Sequence, residues 1–320
     1  MAIIGYHASH EQFSPSELLS YVKAAEDAGF QAAMCSDHFY PWSERQGQSG
    51  YAWSWLGAAL QATTLTFGVV NAPGQRYHPA IIAQAAATLA EMYPNRFWVA
   101  VGSGEALSER ITGERWPPKA KRNERLEECA EVMRALWAGE EVTHYGLIVV
   151  EQARLYTRPA TPPMLIGAAI TAETAGWLGG WADGLITVNQ RREKLERVIK
   201  SFRDGGGQGK PVYLQVHLSY DQDKESALQG AHEQWRSNAF TSDVLANLHL
   251  PRLFDEASQA LRPEDITEHV RVSADLGQQR AWLEEDVAMG FDRIYLHNAN
   301  RQQMRFIEDF GARVLPELGA

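Results

Sequence analysis

Eight short apolar runs, with helical patterns between most of them, constrain this 320-residue chain more than any other feature. They cover residues 3–6, 31–35, 65–70, 97–101, 164–167, 185–188, 212–216 and 293–296. Continuous apolar runs read as strands covered on both faces, because a half-exposed strand would alternate. The first interval shows the helical grammar. Ser14-Pro15-Ser16-Glu17 is a start signal, Leu18, Leu19, Val22, Ala25 and Ala28 recur at helical spacing, and Gly29 is the stop. Further helices are expected at 53–62, from His78-Pro79 through Leu89, and at 122–138, 171–179, 191–203 and 302–315. Two segments break the alternation: a small excursion over 142–158, with Tyr145-Gly146 as its turn, and a mainly helical stretch over 224–271. The pattern predicts an α/β chain folded as a closed (β/α)8 TIM barrel with rim insertions, one domain over residues 1–320. An open doubly wound sheet carries a glycine-rich phosphate loop after its first strand. Here that position reads Tyr6-His7-Ala8-Ser9-His10-Glu11.

Hydrophobic residues make up 45% of the chain, enough for a full core. With 30 Lys and Arg against 40 Asp and Glu, the net charge of −10 gives no electrostatic reason to bind nucleic acid or an anionic membrane. Cys35 and Cys129 lie far apart in different elements, which fits a reducing compartment rather than a disulfide framework. The first residues lack the basic and apolar regions of a signal peptide, and no apolar stretch nears the roughly 18 residues of a membrane span. A soluble, cytoplasmic protein acting on a small molecule is the expectation.

In such a barrel the active site lies at the carboxyl ends of the strands. In order, these ends offer His7, His10 and Glu11; Asp37, His38 and Trp42; Asn71 and Gln75; Glu105; Gly167-Ala168-Ala169; Asn189-Gln190; His217; and His297-Asn298. The second is the most informative, because an adjacent carboxylate and imidazole with an indole four residues on combine a proton acceptor, a polarising partner and an aromatic wall. Each residue also has a plain structural reading: His38 as a rim histidine, Glu105 as a helix cap, Trp42 as a lid, Glu11 as a structural carboxylate. His217 and His297 read first as packing or substrate-wall residues. A metal-dependent isomerase barrel also gathers His and carboxylates at this face, but no H-x-H or paired acidic motif fixes a ligand set. No metal is expected.

Several motifs in order resemble a known family. Gly5-Tyr6-His7-Ala8-Ser9-His10-Glu11-Gln12-Phe13, Ser36-Asp37-His38-Phe39-Tyr40-Pro41-Trp42, Arg76-Tyr77-His78-Pro79-Ala80, Tyr93-Pro94-Asn95-Arg96 and the run from Gly102 to Glu109 are similar to the luciferase-like flavin and deazaflavin oxidoreductases. The nearest pattern is that of the F420-dependent glucose-6-phosphate dehydrogenases. The resemblance implies a barrel holding FMN or coenzyme F420 at its strand ends, in a homodimer. It implies that His38 takes a proton from the substrate hydroxyl and that Glu105 acts as an acid near the redox ring. Asp37 would contact the cofactor and orient the imidazole, while Glu11, Trp42, Gln190 and His217 line the substrate site. Val70, Asn71 and Ser108 would contact the cofactor, and the backbone at Gly167-Ala168-Ala169 would receive its phosphate.

The chain also departs from that group. Where the sugar-phosphate enzymes hold phosphate with two lysines and an arginine, this sequence aligns Gln190, Glu256 and His269. Neutral and acidic groups do not bind a dianion, so glucose 6-phosphate is not the expected substrate. The loop Val70-Asn71-Ala72-Pro73-Gly74-Gln75 is one residue shorter than in the group, where it often packs on the ring through a non-proline cis peptide; this leaves FMN against F420 open. The expectation is hydride transfer between FMN or F420 and a small uncharged molecule. The alternatives are a non-catalytic flavin-binding accessory protein and the metal-dependent isomerase.

Overall fold

The structure is a computed structural model that describes residues 2–318. Eight parallel strands form the barrel: β1 (Ile3–Ala8), β2 (Ala32–Ser36), β3 (Thr66–Asn71), β4 (Phe97–Val101), β7 (Met164–Ala168), β8 (Gly184–Val188), β9 (Val212–Ser219) and β11 (Arg293–Asn298). Neighbours pair in that order, β8 pairs with β9, and β11 pairs with β1, so no edge is left open. The expected (β/α)8 barrel is the observed one. The helices α1 (Pro15–Asp27), α2 (Ala52–Ala62), α3 (Pro79–Met92), α5 (Lys119–Ala138), α6 (Ala172–Gly179), α7 (Arg192–Phe202) and α12 (Gln303–Arg313) follow the expected intervals. A one-turn helix, α4 (Ala106–Glu109), also follows β4. The capping box at Ser14 and Glu17 starts α1 as its sequence signal predicts.

Each strand buries both faces. Outward-facing Ala33, Cys35, Phe67, Val69 and Val99 join the large core beneath the helices, while Ala32, Met34, Trp98, Ala100, Ile166, Tyr213 and Tyr295 fill the lumen. This two-sided burial is why the strands read as continuous apolar runs. Trp98 lies across the barrel, its indole N–H donating to the Tyr295 hydroxyl at 3.1 Å. Gly68 makes room for it, since a Cβ there would come within 1.9 Å of the indole ring. The lower lumen is thus a filled aromatic plug, and open space is left for the top.

The excursion over 142–158 is an antiparallel hairpin of β5 (Val142–Tyr145) and β6 (Val149–Ala153). The rim insertion carries α8 (Lys224–Trp235), α9 (Ser242–Asn247), α10 (Pro251–Ala257) and a two-residue strand, β10 (Arg271–Val272), on the end of β9. One helix, α11 (Leu276–Ala288), has no counterpart in the sequence reading. Its buried residues are Gln279, Leu283 and Asp286, so it presents no apolar stripe to detect. Three strands run two or three residues past their apolar runs, which places His7, His217 and His297 inside β1, β9 and β11 rather than in loops. Both cysteines are buried and free. Among the described residues no helix is long and apolar enough to cross a membrane.

Candidate active site

Side chains along a strand alternate between faces, and this rule separates the two most prominent residues of the sequence. Ala32 and Met34 of β2 face the lumen while Ala33 and Cys35 face the helices. Continued past Ser36, the alternation turns His38 inward and Asp37 outward. Their hydrogen bonds agree.

His38 meets Glu11, from the loop after β1. Its Nδ1 lies 2.6 Å from Glu11 Oε1, and the same oxygen accepts from Ser36 Oγ at 2.6 Å. Ser9 Oγ donates to the other Glu11 oxygen at 2.9 Å. Burial alone would lower the His38 pKa, but the hydrogen bond and charge of Glu11, with a smaller contribution from Glu105, raise it to about 9. Burial likewise works to raise the Glu11 pKa, yet the His38 and Ser36 hydrogen bonds hold it well below the carboxylate range. Both shifts describe one imidazolium–carboxylate pair. On the other side of the ring, Nε2 is 3.8 Å from Glu105 Oε2, too far for a hydrogen bond. That nitrogen therefore faces open space beside a carboxylate. Glu105 begins α4 without capping it, so its carboxylate is not consumed by the helix. The loop before it, Gly102-Ser103-Gly104, requires a left-handed residue at Gly104 (φ +78°), where a Cβ would also press to 2.9 Å from the Glu109 side chain. Trp42 stands edge-on to the imidazole, 5.1 Å between centroids.

Asp37 does not orient His38. Its Oδ2 accepts from Trp53 Nε1 at 3.0 Å and Asn71 Nδ2 at 2.8 Å, and its Oδ1 from Tyr77 OH at 3.2 Å. Arg76 donates to the Asp37 carbonyl at 2.6 Å and lies 3.7 Å from its carboxylate. The expected pairing of neighbours in sequence is corrected by strand geometry, which hands the imidazole to a residue 27 positions away. Arg76 also reaches Glu109, whose pKa burial raises to about 7 against the pull of that arginine. Ser36, Arg76 and Glu109 were absent from the expected site, although the face alternation of β2 could have excluded Asp37 and pointed to Ser36.

The sequence profile of the luciferase-like monooxygenases matches residues 3–303. The chain belongs to this family. The F420-dependent glucose-6-phosphate dehydrogenase of Intrasporangium calvum is 33% identical to it over 99% of both chains, and that of Segniliparus rotundus 35% identical over 98% of this chain and 97% of the relative. A solved F420-dependent secondary alcohol dehydrogenase in complex with an F420–acetone adduct superposes with a TM-score of 0.90 at 30% identity, covering 99% of each chain. The F420-dependent tetrahydromethanopterin reductase of Methanopyrus kandleri shares the fold, with a TM-score of 0.78 at 18% identity and 99% of each chain covered. This member of the luciferase-like family is an enzyme of the oxidoreductase class, as its sequence motifs imply.

The other expected residues divide into groups. Val70 and Ala168 face the lumen, partly buried above its apolar plug. Beside Ala168, a Cβ at Gly102 would meet only the Ala168 methyl, at 3.6 Å. Together these form a shelf of small side chains at the barrel mouth. Asn71 Oδ1, at the end of β3, and Gln75 Nε2, in the loop that follows, are buried without hydrogen-bond partners. Ser108 is buried, and its Oγ accepts from the Phe39 amide at 3.1 Å, which pins the loop after His38. Gly167 faces outward against Leu178 of α6. The Ala169 amide donates to the Ile186 carbonyl at 3.0 Å, so it is not free to hold a phosphate, contrary to the expectation for this segment. The first-turn amides of α6 have no acceptor within the helix except where Thr171 caps Thr174. The loop from Val70 to Gln75 contains no cis peptide.

On the opposite wall, His217 packs against Trp235 (4.9 Å) and His297 (5.5 Å), and His297 against His7 (4.6 Å). Burial, reinforced by the neighbouring imidazoles, lowers the pKa of His217 to about 3 and keeps His297 well below the usual range. Gln190 donates to the Ile170 carbonyl at 3.0 Å. Among the described residues no three His, Cys, Asp or Glu side chains are grouped to hold a metal ion.

Proposed function

We propose that this enzyme uses coenzyme F420 to interconvert a small uncharged alcohol and its carbonyl compound, with His38 moving the proton at the substrate oxygen. One observation carries the reading: the His38 imidazole is held by Glu11 through Nδ1 while its Nε2 faces open space beside Glu105. A general acid or base needs such a fixed ring with one free nitrogen. F420 is favoured over FMN because the relatives at 30% identity or above carry it in their names. The residues present fit a flat heterocycle. Val70, Gly102 and Ala168 form a small-residue shelf on which a planar ring could lie. Asp37 supports this wall by holding Asn71, Ser108 supports it by pinning the loop, and the start of α6 suits an anionic tail.

A bound deazaflavin supplies hydride chemistry at the substrate carbon. In carbonyl reduction, protonated His38 donates from Nε2 to the oxygen, leaving a neutral ring still bonded to Glu11. In alcohol oxidation, the neutral ring accepts that proton. With a pKa of about 9, His38 is protonated at neutral pH. Reduction is therefore ready at pH 7, and oxidation gains as the pH rises toward 9. Glu105, partly exposed and 3.8 Å from the ring, is the second proton-carrying group.

The uncharged substrate follows from the three positions aligned with the phosphate clamp. Gln190 is a neutral amide, exposed Glu256 pairs with Arg252, and burial lowers the His269 pKa so that its ring is neutral at pH 7. None supplies a cation for a phosphate dianion. A homodimer belongs to the same reading, and sedimentation would check it. The direct test titrates the purified protein with F420 and with FMN, then follows the deazaflavin absorbance with a panel of small alcohols and with glucose 6-phosphate. Turnover of glucose 6-phosphate in preference to every neutral alcohol would overturn the substrate class, and binding of FMN alone would overturn the cofactor.

A further inference from the structure

Phe254 is fully buried although it sits on α10, a seven-residue helix of the rim insertion that the barrel does not need for closure. It belongs to a small apolar cluster of its own, separate from the barrel core, with Trp42 and Leu107 at the centre and Tyr40, Leu245 and Leu248 around them. Its ring stands edge-on to the Trp42 indole at 5.5 Å, and that indole also stands edge-on to His38 at 5.1 Å. Leu107 lies two residues beyond Glu105. One plug thus backs both the aromatic wall and the helix that carries the second carboxylate.

The backbone and the side chain of Trp42 are fastened by different groups. Gln46 fixes the backbone: its Oε1 accepts from the Trp42 amide at 2.9 Å, and its Nε2 donates to the Gln234 carbonyl of α8 at 3.0 Å. Asp255 ties α10 to the same loop, accepting from the Glu44 amide at 3.0 Å and pairing with Arg45. Neither contact restrains the indole plane. That restraint comes from packing in the cluster, where Phe254 is the aromatic partner, and a buried aromatic pair at this separation prefers its edge-to-face arrangement.

We propose that Phe254 is a positioning residue that sets the size of substrate this enzyme accepts, by fixing the Trp42 indole as the wall opposite the proton-transferring nitrogen of His38. The inference rests on the alcohol–carbonyl reading for its kinetic readout but not for its structural one. Removing the phenyl ring lets the indole swing into the vacated volume, which enlarges the substrate space while Gln46 keeps the loop in place. Discrimination by pocket volume alone is worth about tenfold or somewhat more per group.

The experiment compares wild type, Phe254→Ala and Phe254→Leu in F420-linked reduction of acetone and of acetophenone. The expected result is a rise of about tenfold in the kcat/KM ratio of acetophenone to acetone for Phe254→Ala, carried mainly by KM. A smaller rise is expected for Phe254→Leu. F420 affinity should stay as in wild type, since Phe254 packs in a cluster that includes none of the shelf residues Val70, Gly102 and Ala168. A folded Phe254→Ala with a ratio within about twofold of wild type would overturn the inference, and Phe254→Leu carries the same test if the alanine variant does not fold. If wild type reduces neither ketone, the functional reading is what has failed. The crystal structure of the variant then decides the positioning role, since an unmoved Trp42 indole overturns it and a rotated or disordered one supports it.

Discussion

The two walls of the barrel mouth put the same side chain to opposite uses. On the wall formed after β1 and β2, His38 is half-buried beside Glu11 and its pKa is raised to about 9. On the wall formed by β9 and β11, His217 is half-buried among His297, His7 and Trp235 and its pKa is lowered to about 3. Burial pushes both rings the same way, toward neutrality. The difference is a carboxylate within hydrogen-bond reach. An imidazole at the end of a barrel strand holds its proton near neutrality only when the fold supplies that partner; without one it is an aromatic packing unit with a polar edge.

The comparison breaks most sharply if the imidazole of the first wall is removed. His38→Ala should lower turnover by a factor of roughly 10² to 10⁴, the usual range for losing a general acid or base. Steady-state assay of the folded variant checks it, and near-wild-type turnover would remove His38 from the chemistry. Asp37→Asn tests the outward-facing neighbour. It places an amide where Trp53, Asn71 and Tyr77 all donate, and it leaves Arg76 with one carboxylate fewer. A loss of about 3 kcal/mol in urea unfolding is expected, and an unchanged midpoint would show that this network is not structural.

Glu11→Gln converts the first wall toward the second. With the charge gone and burial remaining, the His38 pKa should fall from about 9 to below the ordinary 6.5. Carbonyl reduction at pH 7 should drop roughly ten- to a hundredfold, because the ring is no longer protonated. Imidazole proton shifts across a pH series read the first effect and pH–rate profiles the second. A titration that stays near 9 would mean another group holds the proton.

The most gradual effect is on the pH dependence of stability. His38 has a raised folded pKa, so its contribution is complete below about pH 6.5 and is lost as the pH climbs through about 9. His7 and His217 have lowered folded values, so theirs is present above about 6.5 and is lost as the pH falls toward about 4 and about 3. His217→Asn removes one of these titrations. The acid limb of a stability–pH curve should then lose up to about 1.4 kcal/mol per pH unit of its slope between those values. An unchanged slope would place the proton uptake elsewhere.

Much of this was legible in the chain before any coordinates. The strands announced themselves because both of their faces are buried, and the candidate residues because chemistry in this fold collects where strands end. His38, Glu105, Trp42 and Glu11 do converge on one mouth. Helix α11 was not legible, since polar Gln279 and Asp286 fill its buried face. The partner of His38 was misread because adjacency in sequence was taken for adjacency in space, when neighbours on a strand point to opposite faces.

The sequence by itself therefore determined the barrel, the end of it where the candidate residues gather, and the kinds of side chain placed there, since these depend on local periodicity and on burial on both strand faces. Only the tertiary structure decided which carboxylate owns the imidazole, which histidines are charged and what backs the Trp42 wall. Those depend on contacts between Glu11 and His38, His217 and Trp235, and Trp42 and Phe254. Residues so far apart in the chain meet only when strand register, barrel closure and the rim insertion bring them together.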